Sequence, residues 1–125
     1  MAGLTLDAGA LIAFDKNDRP LVALLARAVE RKLTIAVPAG VVGQVWRDGR
    51  RQARLARLLA APEVEVVSLH DQAAREAGQL CGACDTSDVI DASVVLCAGA
   101  RKHKIVTSDP EDLRALSPRA ALIRA

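Results

Sequence analysis

The sequence predicts an α/β fold: a small, mainly parallel sheet with helices packed on both of its faces. Short apolar, β-branched runs alternate along the chain with longer segments of helical periodicity, and this alternation is typical of parallel sheets. The chain has 125 residues, of which 51% are hydrophobic, so it can build one core without crosslinks. We therefore predict a single domain over residues 1–125.

Clear helix and strand boundaries mark the first half of the chain. Asp18 followed by Pro20 is a typical helix start, Pro38 stops a β-rich run, and Gly49 interrupts a helical stretch. The predicted elements, in order, are a strand over 4–6, helices over 8–14 and 21–32, a strand over 33–37, and helices over 39–48 and 50–61.

The second half repeats the alternation. Pro62 ends the preceding helix, Asp71 suits a helix start, and a polar stretch over 82–87 reads as a loop. The predicted elements are a strand over 64–69, helices over 71–81 and 88–102, a strand over 105–107, a helix over 109–116 and a weak last strand over 121–123.

Composition excludes several classes of protein. No window approaches about 18 uninterrupted apolar residues, so we expect no membrane span. Asp7 interrupts the first apolar run, so we expect no signal peptide and a cytoplasmic protein with reduced thiols. The net charge of +2 is too small to indicate nucleic-acid binding by itself.

Four aspartates lie where an open parallel sheet places its ligands. Asp7 ends the first strand and Asp109 follows the strand over 105–107, so both are expected at the carboxyl edge of the sheet. Asp88 and Asp91 begin a helix three residues apart and are expected to share one face. Each aspartate alone also suits a simple helix cap or turn.

Clustered carboxylates indicate a hard cation such as Mg²⁺ and a metal-activated water that attacks a phosphodiester. His70 and His103 lie away from these segments, which argues against a histidine-based zinc site or triad. A phosphatase or receiver domain, also built on aspartates at strand ends, is a less favoured alternative.

At these positions the chain resembles PIN-domain ribonucleases, specifically the VapC-type toxins of toxin–antitoxin pairs. The matching segments are LTLDAGALIAF, VPAGVVGQVWRDGR, TSDVIDASVVLCAGA and KIVTSDPEDL. The resemblance implies a PIN-like three-layer α/β/α sandwich and Mg²⁺- or Mn²⁺-dependent cleavage of structured RNA. It also implies a homodimer and a cognate VapB-like antitoxin that inhibits the toxin.

The resemblance assigns roles by position. Asp7, Asp91 and Asp109 match acidic metal ligands of the family, and Asp88 is an auxiliary acidic residue that assists catalysis. Around the rim, the resemblance implies that Thr107, Ser108 and Asp112 support the metal ligands or contact the substrate.

One position departs from the family. Gln44 stands where glutamate is usual, so the site carries about one negative charge less. This substitution predicts weaker metal binding, a greater reliance on Asp88 or an attenuated enzyme. The alternative function is therefore an impaired PIN-fold module that binds RNA or an antitoxin, unless Gln44 is merely a residue of the helix surface.

Arginines follow Gln44 with helical spacing. On one continuous helix they would form a basic stripe suited to an RNA backbone, although a solvated basic face explains them equally well. The predicted RNA-binding residues are Arg47, Arg50, Arg51 and Arg54, with Arg57 continuing the stripe. We expect Trp46 to lie in the core or an interface rather than to stack on a base.

Cysteines and one apolar helix complete the predictions. Cys81 and Cys84 form a lone CxxC and Cys97 lies in an apolar helix, so packing is expected for all three, with a reversible disulfide of the first two left open. The apolar face over 21–29 suits either a partner interface or the protein's own core.

Overall fold

The computed structural model describes residues 3–125, so Met1 and Ala2 of the predicted domain lie outside the described residues. The described chain forms five strands and seven helices. The strands are β1 (Leu4–Leu6), β2 (Ile35–Pro38), β3 (Val64–Val67), β4 (Lys104–Thr107) and β5 (Leu122–Arg124). The helices are α1 (Ala8–Asp15), α2 (Arg19–Glu30), α3 (Ala39–Val45), α4 (Ala53–Ala60), α5 (Asp71–Cys84), α6 (Val89–Arg101) and α7 (Pro110–Leu116).

The five strands form one sheet in the order β3-β2-β1-β4-β5, and every neighbouring pair is parallel. Right-handed crossovers then place α1 to α4 on one face of the sheet and α5 to α7 on the other. The predicted three-layer α/β/α architecture is confirmed, and the weak strand at the end of the sequence pairs with β4.

The core fills the space between the sheet and its two helical layers. The central strands β1 and β2 are buried along their whole length, as is β4 after Lys104. Leu21, Leu25 and Ala28 of α2 also face this core, whereas Val29 is 37% exposed. The apolar face of α2 therefore serves mainly the protein's own core, the second of the two roles left open for it.

The predicted helix over 39–48 is wrong beyond Val45. Trp46 leaves the helix with an extended backbone, and 46–52 form an irregular segment before α4. A Cβ on Gly49 would lie 2.9 Å from the Trp46 ring, so glycine allows this tight approach. The Trp46 side chain is 38% exposed, so it does not lie in the protein core.

The arginines therefore do not form one helical stripe. Arg47, Arg50 and Arg51 lie in the irregular segment, whereas Arg54 and Arg57 lie on α4. Within residues 3–125, no helix combines the length and apolar character needed to cross a membrane.

Candidate active site

Asp7 and Asp109 lie at the carboxyl edge of the sheet because β1 and β4 are parallel neighbours. Leu6 pairs with Val106, and the Asp7 N–H donates to the Val106 carbonyl oxygen at 3.2 Å. Asp109 follows β4 as the N-cap of α7. The negative charge of Asp109 raises the pKa of Asp7, so the two carboxylates are within electrostatic reach of each other.

Asp7 is the most buried of these carboxylates, with 5% of its surface exposed. It is the N-cap of α1, and its Oδ1 accepts a hydrogen bond from the Ala10 N–H at 2.9 Å. Burial is the main cause that raises its pKa, against hydrogen bonds that favour the charged form. Asp7 is thus held in one orientation by the backbone of α1.

Thr107 links the two strand ends. Its Oγ1 accepts a hydrogen bond from the Asp109 N–H at 2.8 Å, and its side chain also hydrogen-bonds Asp7, which lowers the pKa of Asp7. Thr107 is completely buried. It therefore lies beneath the carboxylates and supports them, rather than at the rim where the sequence placed it. Ser108, the next residue, is exposed.

Asp91 carries the largest electrostatic strain of the site. It lies half-buried in the first turn of α6, and its pKa is raised to about 7. Burial contributes most, followed by the charge and hydrogen bond of Asp88 and the charges of Asp7 and Asp112. Three other carboxylates therefore act on Asp91.

Asp88 holds the start of α6. It precedes the helix as the N-cap, and its Oδ1 accepts a hydrogen bond from the Asp91 N–H at 2.9 Å. The predicted shared helical face is thus replaced by a capping contact, which leaves the other Asp88 oxygen open to solvent or to the neighbouring carboxyl.

Two cavities open at this edge, and Asp112 lines both. One, of about 230 Å³, includes Asp88 and Asp91 in its lining. The other, of about 220 Å³, is lined by Ser108, Asp109, Pro110, Glu111, Asp112 and Arg124. Substrate atoms can therefore approach the carboxylates from either side of α7.

The carboxylate oxygens at this edge fit a hard cation that takes few of its ligands from the protein. Within residues 3–125, no three histidine, cysteine or acidic side chains come close enough to form a ready-made metal cage. The oxygens present are carboxylates that repel one another, and Mg²⁺ is usually held by one or two carboxylates, several waters and substrate phosphate. His103 instead hydrogen-bonds Thr5, and His70 caps α5.

Gln44 stands apart from these contacts. It is exposed on α3, and none of the hydrogen bonds within residues 3–125 joins it to the site carboxylates. Any role for it must therefore depend on a bound ligand.

Gly9 is a site residue that the sequence reasoning missed. It lies in the first turn of α1, where a Cβ would overlap the Ser108 hydroxyl. Only glycine lets α1 pack this closely against the segment that carries Ser108 and Asp109. The clue in the sequence is a glycine two residues after Asp7, but its partner lies at the other end of the chain.

Gln52 was also missed, and it organises the basic segment over 46–52. Its Oε1 accepts hydrogen bonds from the N–H groups of Arg47 at 2.7 Å and Asp48 at 3.0 Å. Its Nε2 donates to the Val45 carbonyl oxygen at 3.0 Å and to Asp15 Oδ2 at 3.2 Å. One side chain thus fixes both ends of the segment.

The arginines of this segment differ in their partners. The Arg47 guanidinium donates to the carbonyl oxygens of Gly43 at 3.2 Å and Trp46 at 2.8 Å, whereas Arg51 lies 3.8 Å from Asp48 in an exposed pair. Exposed pairs of this kind contribute little to stability, so Arg51 can exchange its partner readily.

The cysteines are free thiols that serve packing. Cys81 and Cys84 both lie on the last turn of α5, and Cys97 is buried on α6. Burial raises the pKa of Cys97, which keeps it protonated and unreactive.

Comparisons with known proteins agree with this architecture. VapBC2 from Rickettsia felis bound to a promoter DNA fragment superimposes with a TM-score of 0.70 at 15% identity, with 97% of each chain covered. DNA-bound VapBC from Salmonella typhimurium gives 0.71 at 17% identity, covering 99% of this chain and 98% of that one. FitAcB from Neisseria gonorrhoeae gives 0.66 at 15% identity, with 96% of each chain covered.

These structures share the fold at low sequence identity. A comparison with curated protein sequences finds no significant match. The PIN domain family, however, matches residues 4–117, which include every carboxylate of the site. The chain therefore belongs to the PIN domain family.

Proposed function

We propose that this protein is a VapC-type toxin, a metal-dependent endoribonuclease that cleaves structured RNA. The observation that carries the proposal is the group of carboxylates around the half-buried Asp91, where burial and the neighbouring charges raise the pKa of Asp91 to about 7. Such a site gains stability when a divalent cation offsets the repulsion. The PIN family match and the VapBC and FitAcB neighbours support the same function.

Asp7, Asp91 and Asp109 are the proposed ligands for Mg²⁺ or Mn²⁺. The cation supplies an activated water and offsets the charge that develops on the phosphodiester. Asp7 is already oriented by the α1 backbone, so little reorganisation is required of it. Asp109 is steered through its backbone by Thr107.

Other side chains position the reacting groups. The second Asp88 oxygen can orient a water or share a proton with Asp91, because its partner oxygen is committed to the α6 backbone. Ser108 and Asp112, both exposed, are proposed to contact the substrate or its waters. Gln44, also exposed, is proposed to orient a water through its amide.

The basic segment and α4 are proposed to hold the RNA backbone. Arg47, Arg50, Arg51 and Arg54 are all exposed. Their positive charges attract phosphates regardless of base sequence, and the side chain of Gln52 keeps the segment in one conformation. The chain has one Phe, one Trp and no Tyr, so shape and phosphate contacts should dominate over base stacking.

An antitoxin and a second copy of the chain are the proposed partners, in the cytoplasm. Two of the neighbouring structures are VapBC assemblies bound to DNA, which supports an antitoxin partner that also binds DNA. A small reading frame beside the gene that encodes a DNA-binding protein is the corresponding genomic expectation.

Cleavage of purified RNA with and without Mn²⁺ tests the enzymatic proposal. We expect metal-dependent cleavage that falls at least about 100-fold in Asp7→Ala and Asp91→Ala. Asp18→Asn is the matched control, because Asp18 also caps a helix, α2, but is exposed and distant from the site. Undiminished cleavage by the two alanine variants refutes the assignment.

Gln44 favours one alternative, a PIN module with an attenuated site that binds RNA or antitoxin without turnover. Under that alternative the unmodified protein binds RNA but does not cleave it, and Gln44→Glu creates or strongly raises the activity. If Gln44→Glu changes nothing, the neutral residue is not the limiting feature of the site.

A further inference from the structure

Arg124 stands at the carboxyl edge of the sheet, although neither the family motifs nor the basic segment includes it. It is the last residue of β5 and pairs in register with Thr107 of β4. The Ala125 N–H donates to the Thr107 carbonyl oxygen at 2.7 Å, which fixes the backbone on both sides of the pairing. Arg124 is thus placed beside the segment that carries Asp109.

The surroundings of Arg124 are strongly acidic. It lines a cavity of about 220 Å³ together with Asp109, Glu111 and Asp112. Among the described residues that line the two cavities at this edge, Arg124 is the only cation. Despite three carboxylates in the same cavity, Arg124 forms no ion pair within residues 3–125.

An unpaired guanidinium in an acidic cavity has a specific use for a polyanionic substrate. A phosphate that enters this edge meets repulsion from the carboxylates, and a metal ion offsets that repulsion most strongly for the phosphate it touches, because the attraction weakens with distance and is screened by salt. A second cation strengthens the binding of a neighbouring phosphate, and the planar guanidinium binds two phosphate oxygens at once.

We propose that Arg124 binds a phosphate of the RNA backbone beside Asp109, adjacent to the phosphate that is cleaved. This inference rests on the proposed ribonuclease function and assigns Arg124 a substrate-binding role within it. Arg124 and the basic segment over 46–52 then hold the RNA by separate phosphates.

Binding of a fluorescein-labelled RNA stem–loop to cleavage-deficient Asp91→Asn protein tests the inference without relying on turnover. Anisotropy is measured over a range of salt concentrations, with Arg124→Ala and Arg119→Ala added in turn. Arg119 is the matched control: it is an exposed arginine that lines a cavity with Lys102 and His103 at the opposite, amino edge.

We expect Arg124→Ala to weaken binding about five- to tenfold at low salt and to lower the slope of log K against log salt by about 0.7 to 0.9, the value for one phosphate contact. Arg124→Lys should keep most of the slope but recover only part of the affinity, because lysine lacks the planar fork. Arg119→Ala should change neither quantity.

Three other outcomes overturn the inference. An unchanged slope in Arg124→Ala means that the residue contacts no phosphate, and equal losses in Arg124→Ala and Arg119→Ala mean that only overall charge matters. If the Asp91→Asn parent itself does not bind RNA, the proposed function fails and the inference fails with it. The first two outcomes leave the proposed function intact.

Discussion

The two edges of the sheet treat their polar groups in opposite ways. Around the amino edge, Thr5 Oγ1 lies 3.0 Å from His103 Nδ1, and Arg101 at the end of α6 pairs at 3.2 Å with Glu65 of the edge strand β3. At the carboxyl edge, burial and, to a smaller extent, neighbouring carboxylates raise the pKa values of Asp7 and Asp91. The amino edge thus holds a paired arginine and glutamate, whereas carboxylates face one another at the carboxyl edge.

This difference shows where the molecule depends on something outside its own chain. A conflict between carboxylates lowers stability, and a fold keeps it only where another requirement demands it. α6 connects the two environments, because its first turn holds Asp91 and its last residue, Arg101, is paired with Glu65. The carboxyl edge is the one that a cation and a polyanion can complete.

The largest effect on RNA cleavage is expected from Gly9→Ala at the carboxyl edge. The added methyl group overlaps the Ser108 hydroxyl and displaces the segment that carries Asp109. A displacement of about 1 Å can lower a rate on the order of 100-fold, and we expect such a loss of cleavage. Gly78→Ala is the control, because no atom lies within 4 Å of its Cβ position on α5. Normal cleavage by Gly9→Ala contradicts the prediction.

Gln52→Ala should destabilise the protein by about 1–3 kcal/mol, since it removes hydrogen bonds to both ends of the basic segment. It leaves the Asp15 carboxylate without its amide partner and frees the arginines, so RNA binding should weaken too. Urea unfolding measures the first effect. Gln79→Ala on the exposed surface of α5 should cost almost nothing, and an equal cost for both variants argues against an organising role for Gln52.

Asp91→Asn should stabilise the metal-free protein by about 1 kcal/mol above pH 7, after allowance for solvent screening. The folded protein retains this proton up to about pH 7, whereas the unfolded chain loses it near 3.8. Wild-type stability should therefore fall as the pH rises from about 4 to 7 and level off above that.

Urea unfolding in EDTA at pH 4.5, 6 and 8 measures this dependence, which Asp91→Asn should reduce. Added Mg²⁺ at pH 8 should restore stability to the wild type and not to the variant. Equal pH dependence in both proteins argues against the carboxylate conflict.

The smallest expected effect is that of His103 at the amino edge on the pH dependence of stability, and its sign is opposite to that of Asp91. Burial is the main cause that lowers the pKa of His103, so the unfolded chain takes up this proton first as the pH falls below about 6.5. Stability contributed by His103 is therefore lost on acidification. His103→Gln should remove that component with no change in cleavage, and a cleavage defect shows that the two edges are coupled.

Local patterns were sufficient to predict most of the fold. Alternating strand and helix signals predict every observed element, and Asp18 caps α2 as expected, with its Oδ2 3.2 Å from the Leu21 nitrogen. The helix predicted through Asp48 failed because Gln52 bonds the Val45 carbonyl oxygen and the N–H groups of Arg47 and Asp48 in place of helical partners. Gln52 is in turn bonded to Asp15, 37 positions away, and no local pattern carries that contact.

Local patterns predicted only part of the site, because some of its residues depend on distant contacts. Strand ends place Asp7 and Asp109 at one edge of a parallel sheet, so position alone indicates them. Thr107 was assigned to the rim because its burial depends on the packing around β4. Gly9 was missed because its close neighbour, Ser108, lies far away in sequence, and the role proposed for Arg124 likewise depends on its distant strand partner, Thr107.

Mn²⁺ binding, measured by the electron paramagnetic resonance of the free ion, tests whether the carboxylates at the carboxyl edge hold a cation. We expect wild-type protein and Asp18→Asn to bind the ion equally and Asp91→Asn to bind it at least about tenfold more weakly. Equal Mn²⁺ affinity in Asp91→Asn and wild type would contradict the claim that the carboxylate conflict at this edge exists to hold a cation.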